Sequence, residues 1–414
     1  MNKEKLVELA EENKAELFQI FSDILKIPST SDMLDTTEIT KYIRNYLSKN
    51  NIESKTYEAK SKLYNIIAHI GSTNGKQLIL CGHDDTVPVG DESKWEFPPF
   101  SGNIVDDYFQ GRGASDMKGG VAGILFIFVL IHRYHLEPKN GGISLVIVPD
   151  EESSGKYGAS WLLDQGLISG DGCIIAEPSG ILNPTIGQKG SSWFKLTVHG
   201  VPGHGSLAPF SGKNAIIDML KAVNSIRKIT DLKIEVPDDV KKLVETSKKY
   251  VLERENPNVI PVFEKVTCNV GTIKGGTSSN VVADKCEATF DLRLPFGITY
   301  EEVMNYIRKS LDELKLNYEI ENFGFYGSAN YTPAESPICS DLVSNINYVT
   351  KDEAFGVLQW ACSDARHFRL HNIPVLQYGP AELDTIHGFN EKVKTEFVDI
   401  CAKAYLLTVF DFLD

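Results

Sequence analysis

The sequence predicts an α/β protein with a mostly parallel sheet flanked by helices and a second, inserted α+β domain. Three observations support this prediction. Short aliphatic runs alternate with helical patterns towards both ends of the chain, as they do in parallel sheets. Strands that alternate apolar and polar residues, as half-buried strands do, lie in the middle of the chain. The length of 414 residues suits more than one domain.

The α/β part is predicted to begin with two amphipathic helices, over about residues 3–26 and 35–49. Pro28 follows the first helix, where a proline cannot continue it. The aliphatic runs predicted as strands are 65–70, 77–81, 143–148, 173–176 and 373–377. Between them, the residues 119–135 and 160–165 have helical patterns.

The middle of the chain is predicted to form a sheet with two helices. The predicted elements are, in order, a strand at 193–199, a helix at 214–229, strands at 265–273 and 284–294, a helix at 300–314 and a strand at 317–321. We therefore expect an inserted domain at residues 189–325. The flanking segments 1–188 and 326–414 would together form the α/β, catalytic domain.

Composition excludes several classes of partner. The chain has 42 Lys and Arg against 56 Asp and Glu, which gives a net charge of −14. Such an acidic chain is poorly suited to nucleic acid or anionic membranes. The longest apolar run, 121–131, is too short to span a bilayer. Seven scattered cysteines without a CxxC pair, and a charged first helix without a hydrophobic signal core, predict a cytoplasmic protein with reduced thiols.

Metal-ligating residue types follow the predicted strands, at the edge where open α/β sheets bind ligands. They are His83 and Asp85 after 77–81, Glu151 and Glu152 after 143–148, Glu177 after 173–176, and His387 after 373–377. Asp116 lies in the Gly-rich loop 111–120, which enters the apolar helix.

Each of these features has a simple structural explanation when it is taken alone. A single histidine after a strand is usually structural, Glu151 and Glu152 could form a solvated turn, and Asp116 could cap a helix. The Gly-rich loop lacks the GxxxxGK[ST] pattern of a phosphate-binding loop. Together, however, five carboxylates and two imidazoles with only Arg112 and Lys118 as nearby cations would repel strongly. This combination favours divalent metal, in a catalytic zinc-type site or a two-metal site with a shared carboxylate.

The order of the motifs resembles a known family, the two-metal aminoacylases and carboxypeptidases that include acetylornithine deacetylase, succinyl-diaminopimelate desuccinylase and glutamate carboxypeptidase. The matching segments are GHDDTVP at 82–88, WEFPPF at 95–100, GRGASDMKGG at 111–120, DEESSG at 150–155, AEP at 176–178, GVPGHG at 200–205, SDAR at 363–366 and HGFNE at 387–391. They cover nearly the whole chain.

The resemblance implies a role for each residue of the predicted metal site. His83 and Glu177 would bind one metal ion, Glu152 and His387 the other, and Asp116 would bridge the two. Asp85 would accept the imidazole N–H of His83 and fix its tautomer. Glu151 would be the general base. Zn²⁺ is the expected metal, although Co²⁺ and Mn²⁺ also tolerate these ligands.

Further residues are implied to contact the substrate. The inserted domain would mediate a homodimer, across which His204 would reach the oxyanion; taken alone, His204 is equally a loop histidine. Asn280, Arg293 and Arg366 match substrate-binding positions of the family, and Lys189 lies where relatives with acidic acyl groups carry cations. Arg293 suits a substrate carboxylate, but it could instead form an ordinary pair with Asp291.

The expected function is hydrolysis of the amide bond of an N-acyl amino acid. A metal-bridging water would lose its proton to Glu151 and attack the carbonyl carbon. N-succinyl-diaminopimelate is the favoured substrate, with acetylornithine next, which would place the enzyme in lysine or arginine biosynthesis. A carboxypeptidase or dipeptidase of the same family is the main alternative. A catalytically silent metal-binding protein is the alternative from another class, although all the expected ligands and the base are present.

Overall fold

Two compact units make up the chain in this computed structural model, which describes residues 2–153, 155–254 and 257–414. The first unit consists of the residues up to Ile186, Thr332–Gly356 and Ser363–Asp414. The second consists of Gly187–Tyr331 and Val357–Cys362. The predicted insertion 189–325 lies within the longer segment of the second unit. The sequence analysis did not predict that Val357–Cys362 belongs to this unit as well.

Helices and strands are numbered along the chain. The helices are α1 Lys3–Glu12, α2 Lys14–Leu25, α3 Thr37–Lys49, α4 Lys118–Arg133, α5 Ala159–Asp164, α6 Ala215–Arg227, α7 Asp238–Arg254, α8 Tyr300–Glu313, α9 Pro337–Thr350, α10 Ala365–Leu370 and α11 Thr395–Leu413. The strands are β1 Ser54–Lys60, β2 Leu63–Gly71, β3 Lys76–His83, β4 Asn103–Val105, β5 Tyr108–Gln110, β6 Gly141–Val148, β7 Gly172–Ile175, β8 Thr185–Gln188, β9 Gly190–His199, β10 Thr267–Gly275, β11 Lys285–Leu294, β12 Asn317–Gly327, β13 Asn330–Tyr331, β14 Val357–Gln359, β15 Val375–Gln377 and β16 Lys392–Lys394.

The main sheet of the first unit has the strand order β1-β2-β6-β3-β7-β15. Its strands β6, β3, β7 and β15 run parallel to one another, and β2 runs antiparallel to both of its neighbours, β1 and β6. The register pairs His83 with Val148, and Ile175 with both Cys81 and Gln377. The four parallel strands therefore end near one edge. The predicted α/β class with a mostly parallel sheet is confirmed. The register also explains why the loops that follow these four strands meet at the same edge of the sheet.

Helix α4 brings the Gly-rich loop to this edge. Its residues from Lys118 to Ile131 are all buried, and it packs against α2, α11 and β3. A helix that is apolar all round belongs in a protein interior. Gly120 makes the close approach possible, because a Cβ atom there would lie 1.9 Å from the main-chain oxygen of Ala176. The loop before α4 is thereby held beside the end of β7.

Several local predictions need correction. The predicted helix 3–26 is two helices, because Asn13 leaves the helical conformation and its side-chain amide donates to the main-chain oxygen of Leu9. Neither β1 nor the small sheet β16-β5-β4 was predicted. The strands of this sheet have only three residues each, and β16 pairs with β5 across a long stretch of sequence, so the local pattern does not mark them.

The second unit contains an antiparallel sheet of order β10-β11-β9-β12. Its core lies between this sheet and the helices α6 and α8, and includes the stacked rings of Phe194 and Phe290, whose centroids are 4.8 Å apart. The predicted α+β sandwich is thus confirmed. The charged helix α7 was not predicted; its buried Val240, Val244 and Val251 pack in a separate cluster with Phe263.

No helix among the described residues combines the length and apolar character that a membrane crossing requires.

Replacement of Gly120 by alanine tests the packing of α4. Alanine normally favours a helix over glycine by about 1 kcal/mol. Here we expect the reverse, a loss of about 1–3 kcal/mol in the free energy of unfolding, because the added methyl group meets backbone at Ala176. Urea unfolding measures the loss. Gly203→Ala, whose Cβ atom would meet only ordinary contacts, is the control; a Gly120→Ala chain as stable as the wild type would contradict this packing.

Candidate metal centre

The five residues predicted to bind metal lie together in the first unit. His83 ends β3, Glu152 follows β6, and Glu177 follows β7. Asp116 lies in the loop before α4, and His387 lies in the loop between β15 and β16. Each side chain thus comes from a loop or strand end at the carboxyl edge of the parallel strands.

The carboxylate of Asp116 lies between two imidazoles. Its Oδ1 atom is 3.2 Å from Nε2 of His83, and its Oδ2 atom is 3.2 Å from Nε2 of His387. One carboxylate therefore presents one oxygen to each histidine. This is the arrangement that a carboxylate shared by two ions would need.

One further carboxylate lies beside each imidazole. Glu152 Oε1 is 3.1 Å from His387 Nε2, and Glu177 Oε1 is 3.7 Å from His83 Nε2. Two groups of potential ligand atoms lie within 4.8 Å of one another, namely His83 with Asp116 and Glu152, and His83 with Glu151 and Glu177. Glu151, the expected base, therefore has a carboxylate oxygen within 4.8 Å of potential ligand atoms of His83 and Glu177.

Unsatisfied polar atoms at this centre fit a cation. Nε2 of His83 and Oδ1 of Asp116 are buried and, although they lie close together, neither has a hydrogen-bond partner among the residues that the structure describes. Ligand atoms directed at a common ion have this arrangement, whereas buried polar groups otherwise find partners. The donor set of imidazoles and carboxylates without a thiol suits Zn²⁺, Co²⁺ or Mn²⁺ at a catalytic site.

Proton affinities at the centre show its excess of negative charge. Burial raises the pKa of Glu152 to about 7, with the charge of Asp116 acting in the same direction. Burial likewise raises the pKa of Glu177 to about 7. Contacts with Asp116 and Glu152 raise the pKa of His387 to about 10. Positive charge is thus stabilised here, and bound cations could supply it in place of protons.

The pKa values of His83 and Asp116 shift in opposite directions. Burial lowers the pKa of His83, but the charge of Glu177 and the contacts with Asp116 and Asp85 outweigh it and raise the pKa overall. Burial raises the pKa of Asp116, but its contacts with His387 and His83 outweigh it and lower the pKa. Asp116 is therefore ionised, and it lies between the imidazoles of His83 and His387, whose raised pKa values favour the protonated form.

Asp85 makes a different contact from the one expected. Nδ1 of His83 lies 2.9 Å from the main-chain oxygen of Asp85 and 3.5 Å from its carboxylate, so the closer acceptor is the carbonyl group. The carboxylate accepts the main-chain N–H groups of Glu151 and Glu152, each at 3.1 Å. Asp85 thereby holds both the first histidine and the turn that carries two adjacent glutamates.

Glu151 has the environment of a group that can hold a proton. It is buried, and burial together with the charges of Glu177 and Asp364 raises its pKa well above the ordinary value. A carboxylate poised in this way can accept a proton and later release it.

Asp364, in the segment SDAR, was not predicted as a site residue. Its carboxylate is buried, and neither oxygen has a hydrogen-bond partner among the described residues. Burial raises its pKa to about 6. Gly155 makes room for it, because a Cβ atom there would lie 2.2 Å from Asp364 Oδ1. The nearby Arg366, a predicted substrate ligand, is also largely buried and donates from Nη1 to the main-chain oxygen of Ser363 at 2.7 Å.

His204 and Asn280 lie on adjacent loops of the second unit. The N–H of Gly205 donates to the main-chain oxygen of Asn280 at 2.8 Å, and both predicted site residues are exposed. The N–H of Ser206 donates to Nδ1 of His204 at 3.3 Å. Nδ1 is then an acceptor, so the neutral ring carries its proton on Nε2.

Arg293 and Lys189, also in the second unit, already have protein partners. Arg293 pairs with Asp291 through Nε at 2.8 Å and Nη2 at 3.1 Å, as the simpler interpretation expected, and its guanidinium lies over the ring of Trp193. Lys189 is buried and donates to the main-chain oxygen of Lys265 at 2.9 Å. Burial, aided by the charge of Arg293, lowers the pKa of Lys189 to about 7.

Comparison with known families and sequences yields consistent matches. Residues 79–411 match the peptidase family M20/M25/M40. A probable succinyl-diaminopimelate desuccinylase of Staphylococcus aureus (strain MRSA252) is 28% identical, in a match that covers 95% of this chain and 97% of the relative. A probable succinyl-diaminopimelate desuccinylase of Staphylococcus epidermidis (strain ATCC 12228) is also 28% identical, in a match that covers 96% of this chain and 99% of that relative.

Solved structures share the fold over nearly the whole chain. An M20 family metallo-carboxypeptidase from Sulfolobus solfataricus superposes with a TM-score of 0.79 at 21% identity, covering 96% of this chain and all of the other. Human carnosine dipeptidase 1 superposes with a TM-score of 0.77 at 15% identity, covering 100% and 99%. A Bacillus subtilis protein described as a dinuclear metal binding peptidase from the M20 family has a TM-score of 0.67 at 15% identity, covering 97% and 99%.

Metal addition tests the centre without reference to a reaction. We expect Zn²⁺ or Co²⁺ to raise the melting temperature of the metal-stripped chain, because a ligand that binds only the folded state stabilises it by about 2.7 kcal/mol at about 100 times its Kd. Asp116→Asn should lose most of this shift, since its carboxylate faces both imidazoles.

Asp35→Asn is the matched control, because Asp35 pairs with Lys62 and belongs to neither potential ligand group. Equal metal-induced shifts in the wild type and the Asp116→Asn chain would contradict a metal centre at Asp116.

Proposed function

The chain belongs to the peptidase family M20/M25/M40, and we propose that this metal-dependent hydrolase cleaves the amide bond of an N-acyl amino acid with two divalent metal ions. The observation that carries the proposal is the carboxylate of Asp116 between the imidazoles of His83 and His387, with the buried Glu151 at the same centre. The neighbour described as a dinuclear metal binding peptidase supports the number of ions.

The proposed ligands divide between two ions. His83 and Glu177 would hold one, Glu152 and His387 the other, and Asp116 would contact both. Zn²⁺ is the first choice, and Co²⁺ and Mn²⁺ suit the same ligands. When bound, such ions supply Lewis acidity, which makes water more acidic and a carbonyl carbon more electrophilic.

Glu151 is the proposed general base. Its carboxylate takes a proton from water as the water oxygen attacks the amide carbonyl carbon. It then returns the proton to the nitrogen of the leaving amine as the C–N bond breaks. Its buried position raises its affinity for this proton, and the hydrogen bonds from the Glu151 and Glu152 N–H groups to Asp85 orient the turn that carries it.

His204 is the proposed donor to the developing oxyanion, supplied by a second copy of the chain in a homodimer. The Ser206 N–H contact at Nδ1 leaves the proton of the neutral ring on Nε2, which is the proposed donor atom. The exposed apolar side chains of the second unit would gain cover in such a dimer. These side chains include Leu207, Phe210, Ile217, Leu220 and Ile273.

Substrate choice rests on the cationic and polar side chains. Arg293 and Arg366 could bind substrate carboxylates, Asn280 could contact the amide, and Lys189 could approach an acidic acyl group. For Arg293 and Lys189 this requires exchange of the present partners, Asp291 and the Lys265 carbonyl. N-succinyl-diaminopimelate is the favoured substrate, since full-length relatives are described as probable desuccinylases, and acetylornithine comes next.

A carboxypeptidase or dipeptidase is the second candidate. The structural neighbours described as a metallo-carboxypeptidase and a carnosine dipeptidase share this fold and favour it. The proposed residues at the metal centre would serve either reaction, because both cleave an amide bond. The seven scattered cysteines, without a CxxC pair in the sequence, suit a reducing compartment, and we place the enzyme in the cytoplasm, in lysine or arginine biosynthesis.

Glu151→Gln tests the general base. The variant should lose about 10²–10⁴-fold in kcat, because glutamine cannot accept the proton, while it keeps its metal content. Steady-state kinetics with metal analysis measures both quantities. Glu12→Gln, on the surface helix α1, is the matched control. Full turnover by the Glu151→Gln chain would remove Glu151 from the mechanism.

A substrate panel tests the specificity. Succinyl-diaminopimelate, acetylornithine and several C-terminal peptides are offered to the Zn²⁺- and Co²⁺-loaded chain, and amine release is followed. We expect the highest kcat/KM for succinyl-diaminopimelate, because its carboxylates match the proposed arginines. Cleavage of the peptides alone would show that the second candidate is correct.

A further inference from the structure

Glu391 is a buried carboxylate that the proposed mechanism does not use. It is only 1% exposed and accepts four hydrogen bonds. Its Oε1 atom accepts the N–H groups of Ser115 at 2.9 Å and Asp116 at 3.0 Å. Its Oε2 atom accepts the N–H of Gly113 at 3.1 Å and Nη1 of Arg112 at 2.6 Å. Glu391 therefore holds the backbone of the loop that carries Asp116.

Arg112 extends this contact to two other loops. Its Nη2 atom donates to the main-chain oxygens of Gly388 at 2.9 Å and Pro88 at 3.3 Å. Its guanidinium lies 5.0 Å from the ring centroid of Trp95, which covers the charge. Arg112 is itself only 2% exposed. The ion pair thus joins the loop of Asp116 to the loop after β3 and to the residue that follows His387.

The loop of His387 needs such support. His387 has a φ angle of +59°, in the left-handed region that residues other than glycine seldom adopt. The contact from Arg112 to Gly388 acts at the next residue, and the N–H of Gly388 donates to the main-chain oxygen of Thr385. The imidazole is more than half exposed, so packing restrains it little and the backbone must set its position.

A gain in stability does not by itself explain why the charged side chains of Arg112 and Glu391 are buried together. Removal of two charges from water costs several kcal/mol per ion, and apolar residues of similar volume often stabilise a protein as well or better. What apolar residues cannot do is accept the main-chain N–H groups of the Asp116 loop, or donate to the carbonyl group beside His387. The specific contribution of the pair is therefore to position the loop of Asp116 and the loop of His387.

We propose that the Arg112–Glu391 ion pair is a positioning device that holds Asp116 and His387 in register as ligands of one metal ion. This inference rests on the proposed metal centre but not on the proposed substrate. Groups that orient ligands from behind typically change metal affinity by about 10–100-fold when they are lost. Neither side chain needs to touch metal or substrate for this effect.

Glu391→Gln provides the direct test, with Co²⁺ alone as the probe. Glutamine keeps one acceptor oxygen but turns an amide towards donors, so the loop of Asp116 should lose its fixed position. We expect Co²⁺ affinity, measured by calorimetry, to fall by about 10–100-fold, and the visible absorption of bound Co²⁺ to change. A change in these spectra reports ligand geometry, which a general loss of stability would leave unaltered.

Two further variants separate position from stability. Arg112→Met/Glu391→Met replaces the pair by apolar residues of similar length, and should fold while it binds Co²⁺ as weakly as Glu391→Gln. Lys403→Met is the matched control, because Lys403 is largely buried and pairs with Asp399 at 2.7 Å and with Glu11 at 2.5 Å, neither of which is a proposed metal ligand. It should lose stability but bind Co²⁺ normally.

The outcomes are distinct. Wild-type Co²⁺ affinity and spectrum in a folded Glu391→Gln chain, or in the folded double variant if the single one does not fold, would overturn the positioning role. Failure of both variants to fold would also overturn it, since the pair would then serve the fold itself. Co²⁺ binding that depends on the pair in a chain that hydrolyses no N-acyl amino acid would uphold the inference and reject the proposed function.

Discussion

The excess of negative charge at the carboxyl edge of the parallel strands is the constraint on which the rest of the site depends. Asp116, Glu151, Glu152, Glu177 and Asp364 are all buried or nearly so at this edge. Carboxylates so close together cannot all stay ionised without positive charge beside them. Four of the five accordingly have a raised pKa, whereas Asp116 stays ionised between His83 and His387. A cation at this position would therefore compensate the negative charge that the fold gathers at this edge.

The carboxylates behind the site serve a different purpose, because they bind main-chain N–H groups. Asp85 holds the turn of Glu151 and Glu152, and Glu391 holds the loop of Asp116. Each of these contacts satisfies buried donors that a loop would otherwise leave unpaired. As a result, hydrogen bonds join loops that are distant in sequence. Most of the side chains proposed as metal ligands come from such loops, where function is usually carried.

Much of this arrangement could be predicted from local sequence. Aliphatic runs of four to six residues predicted β3, β6, β7 and β15 because buried parallel strands have this composition. Other features depend on distant partners and could not be predicted. The three-residue strands β16 and β5 pair across most of the chain, and Asn13 breaks the first helix although both sides have helical patterns. Asp85 lies beside His83, but it presents its main-chain oxygen and not the expected carboxylate to the imidazole, which follows only from the loop conformation.

The sequence by itself determined the kinds of ligand available, the strands that they follow and the family to which the chain belongs, because these depend on residue type and order. Only the tertiary structure decided which oxygen meets which imidazole, that Asp364 lies buried beside the same site, and that Arg112 and Glu391 join the loops behind it. Each of these contacts brings together residues separated by many positions in the chain. Their geometry follows from the packing of the whole first unit, which no local pattern encodes.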